Sequence, residues 1–214
     1  MRHQRACIFD LDGVIADTAK YHFLAWQRLA KELGFTLTAA DNERLKGVSR
    51  RRSLDIVLEI GGIAVDEPTK LALATKKNIW YIEHLHRLDR SAILPGAEHL
   101  LAELKASGCQ IALGSGSSNA RLVLDRLDLT SHFDAIVDGT RVTQAKPDPE
   151  VFLRCAADLG VTPADCTVFE DAQAGVEAAV CAGMRCVGVG SPETLRGADH
   201  IVTSLEDVAL EWVL

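Results

Sequence analysis

Short apolar runs typical of buried strands recur along the chain, and helical patterns separate most of them. The runs are Ala6–Phe9, Cys109–Gly114, Asp134–Val137, Cys166–Phe169, Arg185–Val189 and His200–Val202. Apolar residues recur at three- and four-residue spacing in Ala97–Ser107, Asn119–Leu127, Glu150–Leu159 and Ala174–Ala182. Glycines at 108, 160 and 183 are expected to end three of these helices. The alternation predicts an α/β fold: a Rossmann-like, doubly wound parallel sheet covered by helices on both faces.

The connection between the first two runs is far too long for a single crossover. It contains no convincing strand, and its helical patterns are Thr18–Leu33, Ala39–Leu45, Ser53–Ile60 and Glu67–Arg87. We therefore predict an inserted all-helical cap domain at residues 15–90, with the core domain formed by residues 1–14 and 91–214. The hinges are expected near Ile15–Thr18 and Ser91–Leu94.

Composition limits the partners and the compartment. The 214 residues suffice for one sizeable core with a smaller insertion, and the net charge of -7 argues against nucleic acid as a partner. No apolar stretch approaches 18 residues, so no membrane partner is expected. The N-terminus lacks a secretory signal, and the six cysteines form no Cys-x-x-Cys. We expect a cytoplasmic protein with reduced thiols, and a monomer.

Two pairs of acidic residues follow strand-like runs. Asp10 and Asp12 end the first run on the same side of the chain, and Glu170-Asp171 follows the fourth. Asp12-Gly13 is also a common turn, and acidic residues are favoured near helix starts in any case. In an open α/β sheet, however, both pairs can meet at the edge where ligands bind. Carboxylate oxygens there predict a Mg²⁺ site.

Two further segments suit a phosphate group. Ser115 begins a stretch of small polar residues just before a helix, where free backbone N–H groups favour anions. Serine and asparagine are also ordinary helix caps, so the stretch alone leaves both interpretations open. Lys146 lies in a loop that Pro147 and Pro149 constrain, and there it can supply a fixed positive charge. An isolated lysine is more often a solvated surface residue.

The predicted cap domain carries its own candidates. Thr18, His22 and Trp26 share one helix face, although a lone histidine or tryptophan on a helix usually serves packing. Lys46–Arg52 is a basic cluster at a turn between two helices. By itself it is a solvated loop; opposite a phosphate site it could hold a second phosphate, which the arginine fork suits.

Taken in order, Asp10–Val14, Ser115, Lys146 and Glu170-Asp171 resemble the four motifs of the haloacid dehalogenase (HAD) superfamily, and the resemblance covers the whole chain. It extends to the β-phosphoglucomutase branch of that superfamily. The segments that carry this closer resemblance are Asp10–Thr18, Tyr21–Phe23, Trp26, Lys46–Arg50, Lys77-Asn78, Leu129–Asp134, Lys146-Pro147 and Glu170–Gly175.

The resemblance implies interconversion of β-D-glucose 1-phosphate and D-glucose 6-phosphate through β-glucose 1,6-bisphosphate. Asp10 would be the nucleophile and Asp12 the general acid and base. The Mg²⁺ ligands would be Asp10, the backbone carbonyl of Asp12 and Asp171, with Glu170 in the same shell. Ser115 and Lys146 would hold the transferring phosphate, and His22 and Lys77 would orient Asp12 and the closed cap. The other substrate-binding residues would be Thr18, Trp26, Gly47, Val48, Ser49, Arg50, Ser117, Ser118 and Asn119, among which Arg50, Ser117 and Asn119 would hold the second phosphate.

The chain departs from that family at two places, both near the second phosphate. Arg51 and Arg52 stand where acidic or polar residues are expected, and Ser118 stands where the family often has lysine.

A Mg²⁺-dependent sugar-phosphate phosphatase is the first alternative, with the same Asp10 and Asp12 and water completing the reaction. A non-enzymatic phosphosugar-binding module is the second. An intact pair of aspartates speaks against that module. The Lys146-Pro147 bond is predicted to be cis, because a lysine that must point inward from a tight turn can use this form, which only X-Pro bonds adopt at low cost. The resemblance implies the same.

Overall fold

A single parallel sheet forms the centre of the computed structural model, which describes residues 5–213. Its strands are β1 (Ala6–Phe9), β2 (Gln110–Gly114), β3 (Ala135–Val137), β4 (Cys166–Glu170), β5 (Arg185–Val189) and β6 (His200–Val202). They lie in the order β3-β2-β1-β4-β5-β6, and every neighbouring pair is parallel. The chain moves outward from β1 in one direction and then in the other, so the predicted doubly wound topology is confirmed.

Helices cover both faces of this sheet. They are α5 (Ala97–Ala106), α6 (Ala120–Arg126), α7 (Glu150–Leu159) and α8 (Gln173–Cys181). Alternate side chains of β1 enter different apolar layers: Phe9 packs with α5 and α6, and Ile8 packs with α7 and α8. Because both faces of the sheet are covered, the strands are mostly apolar rather than alternately polar, which is why their positions were readable from the sequence.

Four helices fill the long connection after β1: α1 (Ala19–Glu32), α2 (Ala39–Glu43), α3 (Arg50–Ile60) and α4 (Glu67–Leu85). We call residues 15–90 the cap; the exact domain boundaries remain a prediction. Leu29 of α1 and Tyr81 and Leu85 of α4 are fully buried in its interior. The helices of the cap therefore share an apolar centre of their own, which continues into one layer of the sheet domain.

Helix α3 begins at Arg50, whereas the sequence pattern placed its start at Ser53. The hydroxyl of Ser49 accepts a hydrogen bond from the backbone N–H of Arg52 at 3.3 Å and so caps the helix. The prediction that the three arginines lie in a turn was therefore wrong. They occupy the first helical turn, and of the basic cluster only Lys46–Ser49 lies in the loop between the two helices.

The two segments that connect cap and core run side by side. The backbone N–H of Asp17 donates to the carbonyl of Ala92 at 2.8 Å, and that of Leu94 donates to the carbonyl of Ile15 at 3.0 Å. These are the segments predicted as hinges, and they form an antiparallel bridge between Ala16 and Ile93. Within residues 5–213, no helix is long and apolar enough to span a bilayer.

Two glycines with similar backbone angles provide a test of packing at the core. Gly96 has φ +80° and precedes α5; a Cβ there would lie 2.4 Å from the backbone nitrogen of Glu206. Gly108 has φ +79° and nothing within 4 Å of its would-be Cβ. We expect Gly108→Ala to cost about 1 kcal/mol, through backbone strain alone. Gly96→Ala should cost about 1–3 kcal/mol more, because backbone must move. Urea denaturation of both variants measures the difference, and equal losses would contradict this packing.

Candidate active site

Carboxylates from two neighbouring strands meet where the winding of the sheet reverses. Asp10 follows β1, and Glu170 and Asp171 stand at the end of β4 beside it; their ligand oxygens all lie within 4.8 Å of one another. Gly13 allows this approach, because its φ of +89° and the Asp171 Oδ2 atom, 2.3 Å from a would-be Cβ, exclude any side chain. This edge is the usual ligand site of an open α/β sheet.

Lys146 lies buried between two of these carboxylates. Its Nζ atom is 2.6 Å from Asp10 Oδ1 and 2.8 Å from Glu170 Oε2, and it also donates to the carbonyl of Gly114 at 3.2 Å. Burial lowers the pKa of Lys146, but the two carboxylates more than reverse this and hold it above its ordinary value. The predicted cis bond to Pro147 is confirmed. Lys146 is therefore a buried, fixed cation rather than a solvated surface residue.

The remaining negative charge of the cluster is only partly compensated. Burial, opposed by Lys146, raises the pKa of Glu170 to about 8, and burial together with the nearby Asp10 raises that of Asp171 to about 7. Carboxylates in this position are stabilised in their charged form by a cation. Three clustered carboxylates with hard oxygen donors suit a divalent metal ion such as Mg²⁺.

Asp12 has a different environment from Asp10. Its Oδ1 accepts a hydrogen bond from the Thr18 hydroxyl at 2.5 Å, and His22 Nε2 lies 3.7 Å away. Thr18 stands at the cap position of α1 without capping it, so its hydroxyl is free for this contact. Burial and the neighbouring Asp10 raise the pKa of Asp12 to about 6, against the lowering effect of Thr18. Such a carboxyl can both release and accept a proton near neutral pH.

Lys77 from α4 holds the imidazole of His22. Its Nζ lies 2.8 Å from His22 Nδ1 and 4.6 Å above the ring of Trp26. Burial and the positive charge of Arg50 lower the pKa of Lys77 to about 7, and burial together with Lys77 lowers that of His22. When Lys77 is charged it can only donate, so Nδ1 accepts and the hydrogen of the neutral ring sits on Nε2, toward Asp12.

In the loop after β2, serine hydroxyls accept hydrogen bonds from backbone N–H groups. Ser115 Oγ accepts from the N–H of Ser117 at 3.1 Å, and Ser117 Oγ accepts from the N–H of Asn119 at 3.2 Å. The side chain of Asn119 is engaged elsewhere: its Nδ2 donates to Asn78 Oδ1 on α4 at 2.9 Å. A residue predicted to bind phosphate thus also joins the core loop to the cap.

The cap is closed over this site. A Cβ on Gly47 would lie 2.9 Å from the Cβ of Ala172, and the carbonyl of Gly47 approaches Gly116 of the core. The cleft beneath holds about 740 Å³, including its open mouth. The predicted residues that line it are Asp10, Asp12, His22, Trp26, Gly47, Val48, Arg50, Lys77, Ser115, Ser117, Ser118 and Asp171.

The remaining predicted residues stand behind the lining or at its edge: Thr18, Ser49, Asn119, Lys146 and Glu170. Thr18 and Lys146 act there through the aspartates they contact, and Ser49 caps α3. Sequence reasoning did not single out Ala19, Asn42, Leu45, Lys46, Ser53 and Gly116 as individual site residues, yet these also line the cleft. Lys46 was in the basic cluster that we noted; for Asn42 and Leu45 the only signal was proximity to that cluster.

The three arginines at the start of α3 have different surroundings. Arg50 is half-buried and lines the cleft, whereas Arg51 is exposed and forms an ion pair with Glu67 at 2.5 Å. Arg52 is also exposed. The departure of this sequence at positions 51 and 52 therefore lies outside the cleft lining.

Comparison with known proteins agrees with this geometry. Residues 4–183 match the family model of haloacid dehalogenase-like hydrolases, and the chain belongs to that family. It is 45% identical to the β-phosphoglucomutase of Bacillus subtilis, over 97% of this chain and 92% of the relative. The crystal structure of β-phosphoglucomutase from Clostridium difficile superposes with a TM-score of 0.94 at 42% identity, covering 98% and 95% of the two chains. A phosphorylated-carbohydrates phosphatase of Thermotoga maritima is 35% identical over 86% of this chain and 84% of its own.

Removing the buried ammonium group should destabilise the protein strongly. Lys146→Met leaves Asp10 and Glu170 facing each other, and we expect a loss of about 3–5 kcal/mol in urea denaturation with a metal chelator present. Glu170, whose pKa is already raised to about 8 and would lose the opposing effect of Lys146, would bind a proton more tightly in the folded than in the unfolded protein, so the loss should shrink as pH falls from about 8 to about 5. Lys105→Met, which removes an exposed lysine 3.9 Å from Asp134, should change stability by less than about 0.5 kcal/mol. A similar loss in both variants would contradict the assignment.

Proposed function

We propose that this protein interconverts β-D-glucose 1-phosphate and D-glucose 6-phosphate, through an aspartyl-phosphate enzyme and β-glucose 1,6-bisphosphate. One observation carries this most directly. A residue of the cap, Thr18, holds the Asp12 carboxylate beside Asp10 in a cleft that the cap closes. A closed cleft with a positioned acid and base favours transfer to a sugar hydroxyl over transfer to water. The likeness to two β-phosphoglucomutases supports the same reaction.

Asp10 is the proposed nucleophile. Lys146 holds one of its oxygens and supplies a positive charge for the transferring phosphoryl group, with the hydroxyl of Ser115 beside it. Phosphoryl transfer depends mainly on such positioning and charge neutralisation. Formation of an aspartyl phosphate divides the overall reaction into two transfers, each with its own attacking oxygen.

Asp12 is the proposed general acid and base. It gives a proton to the departing sugar oxygen in one transfer and takes one from the attacking hydroxyl in the other. With its pKa raised to about 6, both forms are accessible near neutral pH. Thr18 fixes the orientation of the carboxylate, and Lys77 fixes that of His22, which stands next to it.

Mg²⁺ is the proposed metal. Asp10, Asp171, the backbone carbonyl of Asp12 and, in the same shell, Glu170 would hold it, and three of these residues form the carboxylate cluster. When bound, the ion neutralises charge on the transferring phosphoryl group and on the cluster itself.

The second phosphate is assigned to the opposite wall of the cleft. Arg50 at the start of α3 faces the core loop with Ser117 and Ser118, and all three line the cleft. Asn119, bonded to Asn78, stands at the edge of the same wall. The backbone of Gly47 and Val48 and the capping Ser49 shape the turn that carries Arg50. Because the bisphosphate must turn over between transfers, the two phosphate pockets need similar affinities.

A sugar-phosphate phosphatase is the alternative, with the phosphatase of Thermotoga maritima among the relatives. Incubation with β-D-glucose 1-phosphate, Mg²⁺ and a trace of the bisphosphate separates the candidates. Glucose 6-phosphate as product supports the mutase, free phosphate the phosphatase, and unchanged substrate a binding module. A monomer in the cytoplasm remains our expectation for its state and location.

Substitution of the two aspartates should affect the reaction in different ways. Asp10→Asn should abolish phosphoryl transfer, because an amide cannot carry the phosphoryl group, and label from phosphorylated substrate should no longer attach to the protein. Asp12→Asn should slow mutase turnover about 100- to 10,000-fold, as expected for loss of a general acid and base, and should still bind Mg²⁺. Loss of metal binding together with activity, measured by calorimetry, would show that the role of Asp12 is wrong.

Arg50 should matter for the mutase reaction and little for simple hydrolysis. It contributes binding energy to closure over the second phosphate and takes no part in the chemistry. Arg50→Ala should therefore greatly lower mutase turnover while largely sparing hydrolysis of acetyl phosphate, which has no second phosphate. The matched control is Arg51→Ala, since Arg51 points to Glu67 instead of the cleft. Full mutase activity in Arg50→Ala would show that Arg50 does not bind the second phosphate.

A further inference from the structure

Tyr81 of α4 is a buried residue that none of the roles above uses. Its side chain is fully buried, and its ring stacks on the imidazole of His22 with centroids 3.8 Å apart and planes 26° apart. The ammonium of Lys77 lies 5.0 Å from the centre of the same ring. The ring thus packs against the pair of side chains that faces Asp12.

The hydroxyl of Tyr81 has no hydrogen-bond partner among residues 5–213, and His22 Nε2 shares this condition. A buried polar atom left unpaired costs about 1–3 kcal/mol, so such atoms usually acquire a partner in some working state of the protein. Two donors that have no hydrogen-bond partner among residues 5–213 therefore stand close to the carboxylate of Asp12, which accepts a hydrogen bond from Thr18.

The groups around the hydroxyl identify its acceptor. Burial raises the pKa of Tyr81, and so do the charge of Asp12 and the approach of its carboxylate to the phenol hydroxyl, while Ser117 and Arg50 lower it. The phenol therefore keeps its proton and remains a donor. A carboxylate is a stronger acceptor than a serine hydroxyl, which favours Asp12 over Ser117. Tyr81 belongs to the cap and Asp12 to the core, so a hydrogen bond between them would join the two domains.

We propose that Tyr81 is a positioning residue for phosphoryl transfer, whose hydroxyl donates to the Asp12 carboxylate when a sugar phosphate fills the cleft. This rests on the proposed function. His22 Nε2 stands 3.7 Å from Asp12, just beyond hydrogen-bond distance, as is common before substrate binds. A small tightening of α1 and α4 around substrate brings both donors to Asp12. With Thr18 they fix the carboxylate toward the sugar oxygen.

Tyr81→Phe removes only the hydroxyl and keeps the ring on His22. We expect kcat of the mutase reaction to fall about tenfold, with KM changed less than about twofold, because a hydrogen bond to a charged group is lost in the transfer step. Thermal stability should stay equal or rise, since the free protein loses an unpaired buried hydroxyl. Tyr21→Phe is the matched control: Tyr21 stacks on His84 elsewhere in the cap and should leave all values unchanged.

A second measurement separates positioning from general damage. Acetate leaves acetyl phosphate without needing a proton from Asp12, so single-turnover labelling of Asp10 by acetyl phosphate should be equal in Tyr81→Phe and wild type. An unchanged kcat, or a parallel loss of mutase turnover and labelling, would overturn the assignment of Tyr81. If wild-type protein itself forms no glucose 6-phosphate, the proposed function fails, and labelling of Asp10 still reports on the nucleophile alone.

Discussion

The buried contact of Lys146 with Asp10 and Glu170 is the interaction on which the site depends. It ties the ends of β1 and β4 to the loop after β3, and so fixes three separate segments at one point. An ammonium group with this little exposure is stable only beside its carboxylates, and they are stable only beside a cation. The same charges that hold the ends of the strands together are therefore those that we propose to act on the transferring phosphoryl group.

The cap supplies what the sheet alone lacks, an environment for Asp12. Asp10 and Asp12 are separated by one residue, yet Lys146 holds the first and the second takes its hydrogen bond from Thr18. This difference of surroundings fits the two different chemical roles that we propose for these neighbouring carboxylates. His22 of the cap also lies 3.7 Å from Asp12, with Lys77 bonded to its far side, so residues of both the cap and the core surround the proposed acid and base.

The sequence predicted best those features that depend on a few neighbouring residues of the chain. Strand positions, the carboxylates at their ends and the loop of Lys146 followed from short patterns, and the resemblance supplied their chemistry. The start of α3 was misplaced because Ser49 caps it, and a cap is decided by geometry at one residue. Asn42, Leu45 and Tyr81 were missed because they reach the site, or the residues beside it, only after helices fold together, and nothing at those positions distinguishes a site residue from a packing residue.

The paired connections between cap and core have a consequence beyond this reaction. The chain leaves the sheet at Ile15 and returns at Leu94, and these two residues are hydrogen-bonded to each other. The inserted helices therefore enter and leave the sheet domain at a single point, and a change in their length or number need not displace a strand. In a chain built this way, evolution can exchange the cap as one segment while the strand order and the residues at the strand ends stay as they are.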